Sequence, residues 1–319
     1  MRRQRSLLIA LTLAAPLTPV RAADAPGYTR TEDVIYGRKY GTALTLDVFA
    51  PTEKPNGAGV IWVVSGGWFS GHEAIHDGIA REYLSRGYTV FAVVHGSQPK
   101  FTIPEVIEDM HRSIRFIRHN AGRYHVDPDR LGITGGSAGG HLSLMMALGG
   151  KPANPAAKDP VDRESSRVQA VGCFFPPTDF LNYARPNRTV LQALEEELAV
   201  FKAPFDFTRY DEASKRIVLI TDEQKRLEIC KEISPITHVS ADDPPTLIFH
   251  GDKDALVPIQ QSESLIEKLK AAGVTAELVN RPGAGHGWKD MASDVKRIAD
   301  WFDKYLAKSA STRPVQPSS

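Results

Sequence analysis

The stretch Gly132-Ile-Thr-Gly-Gly-Ser137-Ala-Gly-Gly-His-Leu142 places a Gly-x-Ser-x-Gly motif between a short apolar segment and an Ala/Leu/Met-rich helix. A strand-to-helix turn of this kind holds Ser137 at strained backbone angles with its hydroxyl facing outward. The residues two positions away on each side must be very small, because strand and helix nearly touch there, and Gly135 and Gly139 meet that demand. The Ala138 amide stands at the helix N-terminus, where it can stabilise an anion. The motif therefore predicts a serine nucleophile with one backbone hydrogen-bond donor beside it.

Other interpretations of this turn fit less well. A P-loop needs Lys followed by Ser or Thr after the last glycine, and His141-Leu142 stands there instead. A nicotinamide-binding fingerprint needs Gly-x-Gly-x-x-Gly, normally after the first strand, and this turn meets neither condition. An ordinary glycine-rich loop remains the alternative to a nucleophile turn.

Apolar strands alternate with helical patterns on both sides of this turn. Unbroken apolar strands separated by helices predict a mostly parallel, twisted sheet with helices on both faces, which is an α/β fold. An earlier pair of strands flanks a glycine turn, and the second of them alternates apolar and polar residues, as a half-buried strand does. The predicted strands cover residues 32–36, 42–49, 60–64, 89–94, 130–134, 168–175, 246–250 and 275–279.

Residues 176–245 interrupt this alternation. So long a span between two sheet strands indicates an inserted helical cap or a decorated crossover, with helices expected over 190–203 and 211–234. We expect both ends of the insertion to open at the C-terminal edge of the sheet. The folded domain is then predicted to cover residues 23–308, followed by a disordered tail over 309–319.

A nucleophilic serine needs a base and an orienting acid, which follow it in chain order as acid and then histidine in proteins built on this turn. His250-Gly-Asp-Lys-Asp254 follows one apolar strand directly, and Gly285-His286-Gly287 follows the last. Both loops leave the edge of the sheet where Ser137 lies. Asp254 is preferred as the acid over Asp252, which is closer to the strand end and is expected to bond its own backbone. The alternative for His286 is a solvated loop histidine.

The loop after strand 60–64 reads Ser65-Gly-Gly67-Trp68-Phe-Ser-Gly71. Its paired glycines allow the backbone to approach a bound substrate closely. We therefore expect the second oxyanion donor among the amides of Gly66, Gly67 and Trp68, beside that of Ala138.

Four side chains are candidates for contact with substrate: Trp68, His95, Phe205 and Phe207. His95 ends a strand at the same sheet edge and either lines the acyl or alcohol pocket or is a satisfied structural histidine. Phe205 and Phe207 lie in the insertion and either line the site or pack the insertion onto the sheet.

From about residue 42 to residue 306, the sequence resembles the α/β-hydrolase superfamily, and within it secreted esterases related to acetylxylan/feruloyl esterases, hormone-sensitive-lipase-like and prolyl-oligopeptidase-like hydrolases. The segments that carry the resemblance are Ser137-Ala-Gly-Gly-His-Leu142, Asp127-Pro-Asp-Arg130, Pro244-Pro-Thr-Leu247, His250-Gly-Asp-Lys-Asp254 and Gly285-His286-Gly287. Members usually carry His-Gly-Gly-Gly-Trp in the oxyanion loop, and Val64-Ser-Gly-Gly-Trp68 here lacks the His and the first Gly. Pro177-Thr-Asp179 also recurs in such esterases, and we interpret Asp179 as structural.

This resemblance implies an α/β-hydrolase fold and a carboxylesterase with a Ser137–His286–Asp254 triad that needs no cofactor. It further implies a small-molecule or polysaccharide-linked ester as substrate, with acetyl or feruloyl groups on plant polysaccharide as examples. Two other functions stay open at this point. One is a peptidase or amidase of the prolyl-oligopeptidase type, and the other is a catalytically inactive binding protein on the same fold.

Composition excludes several classes of protein. The 319 residues are 42% hydrophobic and 24% charged, which is typical of a folded globular chain rather than a disordered one. The 39 basic and 38 acidic residues leave a formal charge of +1, so no basic excess favours nucleic acid as a partner. Neither a His-Glu-x-x-His motif nor paired cysteine spacing predicts a metal site. Cys173 and Cys230 are expected to be free thiols.

Residues 1–22 form a pattern of their own. Met1-Arg-Arg-Gln-Arg5 is basic, residues 6–20 are largely apolar, and Val20-Arg-Ala22 puts small residues at the −3 and −1 places of a cleavage site. This pattern is typical of a secretory signal peptide and predicts a secreted or periplasmic protein. The apolar run is shorter than the roughly 20 residues that span a bilayer, which disfavours the alternative of an uncleaved membrane anchor. Because no later stretch of the sequence is long and apolar enough to span a membrane, stable membrane insertion after cleavage is not expected.

We predict that the exported protein begins at Ala23. Intact mass of the protein recovered from periplasm or medium measures this directly. Recovery of full-length protein, with Met1 retained, in the membrane fraction would contradict it.

Overall fold

The computed structural model describes residues 27–307. The predicted signal peptide (1–22) and the predicted tail (309–319) lie outside the described residues. The strands, in chain order, are β1 (Tyr28–Lys39), β2 (Thr42–Pro51), β3 (Gly59–Val64), β4 (Thr89–Val94), β5 (Leu131–Gly136), β6 (Ala170–Phe174), β7 (Thr208–Asp211), β8 (Arg216–Leu219), β9 (Thr246–Gly251) and β10 (Ala276–Arg281). The α-helices are α1 (Asp77–Ser85), α2 (Ile103–His119), α3 (Ala138–Leu148), α4 (Val190–Glu195), α5 (Glu223–Glu232), α6 (Gln260–Ala271) and α7 (Met291–Tyr305).

Eight strands form one sheet in the order β1-β2-β4-β3-β5-β6-β9-β10. β1 pairs antiparallel with β2, and β2 with β4, whereas every other pairing in the sheet is parallel. This is the mostly parallel sheet that the sequence predicts, with an antiparallel edge. The carboxyl ends of β3, β5, β6, β9 and β10 therefore meet at one edge of the sheet.

Helices cover both faces of the sheet, which explains why its central strands are apolar throughout. One core contains Ile61 and Ile133 with apolar residues of α2, α3 and α6. The other contains Val60 and Trp62 with residues of α1 and α7. Successive strand residues point to opposite faces, so each central strand contributes to both cores. α2 begins with a capping box, in which the Thr102 amide donates to the Glu105 carboxylate at 2.8 Å.

The insertion differs from the sequence-based expectation in three ways. β9 runs parallel to β6, so residues 176–245 leave β6 at the C-terminal edge but must return to the opposite edge, and the expectation that both ends open beside Ser137 is wrong. The predicted helix over 190–203 ends at Glu195 and continues as short 3₁₀ turns. The predicted helix over 211–234 is wrong in its first half, where β7 and β8 form a hairpin. Ile217 and Val218 are β-branched and favour a strand there.

Both cysteines are buried free thiols, as the sequence predicts. Burial raises the pKa of Cys230 to about 12 and raises that of Cys173 further. Within residues 27–307, no helix combines the length and the apolar character needed to cross a membrane.

The turn between β5 and α3 has the close contact that the sequence predicts. A Cβ atom added to Gly135 would lie 2.6 Å from the carbonyl carbon of Gly139, and one added to Gly139 would lie 2.9 Å from the carbonyl oxygen of Val63. These neighbours are backbone atoms, which cannot move aside as a flexible side chain can. Strand and helix can therefore approach this closely only with glycine at both positions.

We predict that Gly135→Ala lowers the free energy of unfolding by about 3 kcal/mol, the upper end of what overpacking normally costs. Urea unfolding followed by tryptophan fluorescence measures the change. Gly122→Ala is the matched control, because a Cβ there meets nothing within 4 Å, and it should change stability by less than about 0.5 kcal/mol. Equal effects of the two substitutions would contradict the close contact.

Candidate active site

Ser137 lies at the junction of β5 and α3 with φ 55° and ψ −121°, angles that a residue with a side chain rarely adopts. Its N–H donates to the carbonyl of Phe174 at the end of β6, at 2.9 Å. The N–H of His141 donates to the Ser137 carbonyl, also at 2.9 Å. Strained backbone of this kind persists where surrounding contacts fix it, and the neighbouring strand and the first turn of the helix supply those contacts.

The structure brings Ser137, His286 and Asp254 into one hydrogen-bonded line. His286 Nε2 lies 2.9 Å from Ser137 Oγ, and His286 Nδ1 lies 2.7 Å from Asp254 Oδ2. A carboxylate only accepts, so Nδ1 carries the proton and Nε2 is left to accept from the serine hydroxyl. Ser137 follows β5, Asp254 follows β9 and His286 follows β10, which is why residues far apart in sequence meet at this edge.

Asp254 is buried and accepts several hydrogen bonds. Its Oδ1 accepts from the amides of Leu256 and Val257, both at 2.9 Å, and His250 Nε2 lies 3.4 Å from its Oδ2. Burial alone raises the pKa of this carboxyl, but the hydrogen bonds from His250, His286 and the backbone outweigh it and hold the pKa well below its usual range. Asp254 is therefore a fixed anion opposite His286.

The neighbouring carboxylate Asp252 has a different role. Its Oδ1 accepts from the N–H of Gly283 at 2.7 Å, so it joins its own loop to the loop that carries His286. The expectation that it bonds its own backbone is wrong, because the adjacent β9–β10 pairing brings the second loop within reach. Asp179 accepts from the amides of Leu181 and Asn182, which agrees with the structural role expected for it.

Side chains that sequence reasoning missed support the His286 ring. The ring of Phe175 lies 4.4 Å from it between centroids, at an angle of 50°. Trp288 packs edge-on against Phe175 at 5.7 Å, and its indole N–H donates to Asp294 at 2.7 Å. Arg281 forms an ion pair with the same carboxylate. In the sequence, Phe175 only ends an apolar run, and nothing near it indicates contact with a histidine 111 positions later.

The loop after β3 forms a tight turn. The amide and carbonyl groups of Gly66 and Phe69 bond each other reciprocally, both at 2.9 Å. Gly67 and Trp68, between them, have φ of 56° and 59°, as the central residues of a type I′ turn require. The Gly66 N–H is thus already used within the turn, which corrects its expected role as an oxyanion donor. Among residues 27–307, the amides of Gly67 and Trp68 bond to no acceptor.

Ala138 is the first residue of α3, where an amide has no carbonyl within the helix to bond. Its N–H and those of Gly67 and Trp68 come from two elements that flank Ser137. Together they form a candidate site for a negatively charged oxygen next to the serine hydroxyl.

A pocket of about 400 Å³, measured out to its open mouth, adjoins Ser137. Its walls come from the loop after β3, the first half of the insertion and the loop after β9. The lining residues are Gly67, Trp68, Ser137, Pro177, Phe180, Tyr183, Val190, Leu194, Leu198, Phe201, Phe205, Leu256 and Val257.

The polar atoms in this wall are mostly bonded within the protein. The Tyr183 hydroxyl donates to the carbonyl of Leu256 at 2.5 Å, and the Trp68 indole N–H donates to His141 at 3.2 Å. Apart from the Ser137 hydroxyl and the unbonded amides of Gly67 and Trp68, the pocket therefore presents mainly apolar surface to a ligand.

Of the four side chains expected to contact substrate, Trp68 and Phe205 line this pocket. Phe207 does not, because it is buried behind Phe205, with ring centroids 6.1 Å apart. His95 does not line it either. Its Nδ1 bonds the carbonyl of Gly96 and its Nε2 bonds Ser65 Oγ, both at 2.8 Å, and burial lowers its pKa to about 4. Of the two expectations for His95, the structure supports the satisfied structural histidine.

One group of side chains elsewhere has the composition of a cation site. Ligand atoms of Glu32, Asp47 and His72 lie within 4.8 Å of one another. The Arg30 guanidinium already pairs with Asp47 at 2.6 Å and with Glu32 at 3.2 Å, so a protein cation neutralises these carboxylates. The cluster lies on β1, β2 and the loop after β3 and shares no side chain with the Ser137 site.

Comparisons with known families and proteins agree with this geometry. Residues 46–269 match the BD-FAE family, and residues 230–313 match the dienelactone hydrolase family. The probable carboxylic ester hydrolase LipM of Mycobacterium tuberculosis is 30% identical over 247 residues, which cover 76% of this chain and 52% of the relative. Esterase LipC of the same organism is 26% identical over 265 residues, or 82% and 60%. The chain thus spans little more than half the length of these relatives.

Two solved structures align along most of this chain. A truncated form of a carbohydrate esterase from gut microbiota has a TM-score of 0.69 and 26% identity, and the match covers 90% of this chain and 99% of that one. An esterase from the Planctomycetes species Thermogutta terrifontis has a TM-score of 0.66 and 25% identity, with 90% and 97% covered.

Proposed function

Because this chain belongs to the BD-FAE family and has the α/β-hydrolase fold, we propose that it is an exported serine carboxylesterase that cleaves acyl esters through an acyl-enzyme. The observation that carries this proposal is the hydrogen-bonded line from Ser137 through His286 to Asp254. Relatives that are carboxylic ester hydrolases support the reaction class. The basic and apolar leader in the sequence supports export.

The proposed reaction begins when Ser137 Oγ bonds to the ester carbonyl carbon and its proton passes to His286 Nε2. Asp254 stabilises the imidazolium that forms and keeps the ring in the required tautomer. The carbonyl oxygen becomes an oxyanion that accepts hydrogen bonds from Ala138 and from the Gly67–Trp68 turn, each donor contributing about 3 kcal/mol. The carbon–oxygen bond to the alcohol then breaks, and the alcohol takes the proton from Nε2. Water repeats the sequence and releases the acid.

The pocket beside Ser137 supports an apolar acyl group. An alkanoyl chain leaves no polar group unpaired against these walls, whereas a polar acyl substituent that lay against them would find few hydrogen-bond partners among the lining side chains. The Thermogutta terrifontis esterase was solved with butyrate bound, which fits a short alkanoyl chain. The gut carbohydrate esterase supports a sugar as the alcohol. We therefore propose acetyl and other short alkanoyl esters, carried on a small molecule or a polysaccharide, with the alcohol at the open mouth.

We predict that Ser137→Ala lowers kcat for 4-nitrophenyl acetate by about 10⁶-fold and prevents labelling by a fluorophosphonate probe. Asp254→Asn should lower kcat by about 10⁴-fold, because the carboxamide allows the wrong histidine tautomer. Asp252→Asn is the matched control, since its remaining oxygen still accepts from Gly283, and its kcat should stay within 10-fold of wild type. Greater damage from Asp252→Asn than from Asp254→Asn would show that the acid is misassigned.

We predict that Phe205→Ala changes acyl-chain preference and that Phe207→Ala does not. Removing the Phe205 ring enlarges the pocket, so the ratio of kcat/KM for 4-nitrophenyl octanoate to that for the acetate should rise by about 10-fold. Phe207 is equally buried but stands outside the lining, so its replacement should lower the melting temperature and leave the ratio within 2-fold. An unchanged ratio in Phe205→Ala would mean that the acyl chain binds elsewhere.

A further inference from the structure

Trp68 has a backbone conformation that is unusual for so large a residue. At φ 59° it lies in the left-handed region, which costs on the order of 1–3 kcal/mol for a residue other than glycine. Its side chain is 6% exposed and packs edge-on against Phe205 at 5.3 Å. Phe180 lies at 6.1 Å on another side. An interaction with the residues around Trp68 must therefore hold the turn in this conformation, and the same interaction fixes the Gly67 and Trp68 amides.

His141 supplies a directed interaction of this kind. It is fully buried on α3, one turn after Ser137. Its Nδ1 lies 3.2 Å from the indole N–H of Trp68, and its Nε2 lies 2.7 Å from the carbonyl oxygen of Ile233. An indole nitrogen only donates and a carbonyl only accepts, so Nε2 must carry the proton and Nδ1 must accept. Burial lowers the pKa of His141 to about 4, which keeps the ring neutral at ordinary pH.

The Ile233 carbonyl is itself held in place. It lies at the C-terminal end of α5, and the adjacent Ser234 hydroxyl donates to the Cys230 carbonyl at 2.6 Å. The Phe180 amide donates to the same hydroxyl at 2.9 Å. His141 thus joins three elements that the chain connects only over long distances: the loop after β3, the helix after Ser137 and the insertion.

We propose that His141 is a positioning residue that fixes the Gly67–Trp68 turn against the nucleophile helix, so that the turn's amides face the oxyanion. This rests on the proposed function of Ser137. His141 does not contact the reacting atoms and does not itself line the pocket, but it touches the lining residues Trp68 and Phe180 from behind. It acts through Trp68, whose indole N–H donates to His141 Nδ1. The Nε2–H of His141 donates to the Ile233 carbonyl, and this second hydrogen bond joins the turn to the insertion.

The proposal makes His141→Phe the informative substitution. Phenylalanine keeps a ring of similar size but removes both hydrogen bonds. We expect kcat for 4-nitrophenyl acetate to fall by about 100-fold, the effect of misaligning one oxyanion donor. KM should change by less than 3-fold, because oxyanion contacts act in the transition state rather than on bound substrate. His141→Asn should recover at least 10-fold of the lost kcat, because its Oδ1 can take the place of Nδ1 and accept from Trp68.

A matched control separates positioning from stability. His111 is also buried, on α2, and its ring bonds Ser166 Oγ at 2.8 Å. His111→Phe removes a comparable buried hydrogen bond away from Ser137. It should lower the melting temperature about as much as His141→Phe and leave kcat within 2-fold of wild type. A similar fall of kcat in both variants, in proportion to lost stability, would overturn the positioning role.

The outcomes also distinguish this proposal from the function on which it rests. Wild-type protein that hydrolyses no ester and takes up no fluorophosphonate refutes the serine esterase. An active wild type with a folded, equally active His141→Phe refutes the positioning role alone.

If His141→Phe does not fold, Trp68→Phe decides the question, because it removes the indole donor and leaves His141 in place. A kcat for the acetate within 3-fold of wild type in that variant would refute the positioning role, and a loss of kcat with KM preserved would support it.

Discussion

The contact between β5 and α3 is the constraint on which the rest of this structure depends. Backbone atoms of Gly139 and Val63 occupy the space that side chains at positions 135 and 139 would need. The helix can therefore begin immediately after the strand, with Ser137 at the turn between them. The Phe174 carbonyl then fixes the Ser137 amide, and α3 presents Ala138 and His141 at fixed distances from it. Any widening of this contact would displace Ser137, the proposed oxyanion donor Ala138 and His141, the proposed support of the Gly67–Trp68 turn, together.

The polar groups near Ser137 show how hydrogen bonding decides which buried groups keep a charge. Asp254 keeps its negative charge because two amides and His286 donate to it and His250 lies close by, whereas a buried carboxylate without such donors would take up a proton. The nearby buried histidines His95 and His141 follow the opposite rule. Burial keeps both neutral, and each ring nitrogen has a hydrogen-bond partner. The result is a buried anion in line with His286 and two neutral histidines nearby.

Local sequence patterns were sufficient for much of the fold and for part of the site. The central strands, the Gly135 and Gly139 positions and the order of Ser137, Asp254 and His286 follow from periodicity and from the geometry of one turn. The Gly66 amide could not be assigned correctly, because its partner is fixed by the turn that Gly67 and Trp68 adopt. The supports of His286 depend on pairings between distant segments, which no short window of sequence contains. The β7–β8 hairpin is different, because it is local and its β-branched residues Ile217 and Val218 already favoured a strand. The error about the end of the insertion has another cause, because the predicted parallel sheet already required a chain between two parallel strands to return to the opposite edge.

The placement of the candidate residues along the chain has a consequence for biosynthesis. His286 lies 149 positions after Ser137 and follows β10, the last strand to leave the ribosome. A chain that ends before β10 therefore lacks the base that is proposed to activate Ser137. β10 is the edge strand and pairs with β9 alone in the described sheet, so His286 is brought to Ser137 only when this last strand has joined the sheet. The reactivity proposed for Ser137 thus requires the complete sheet.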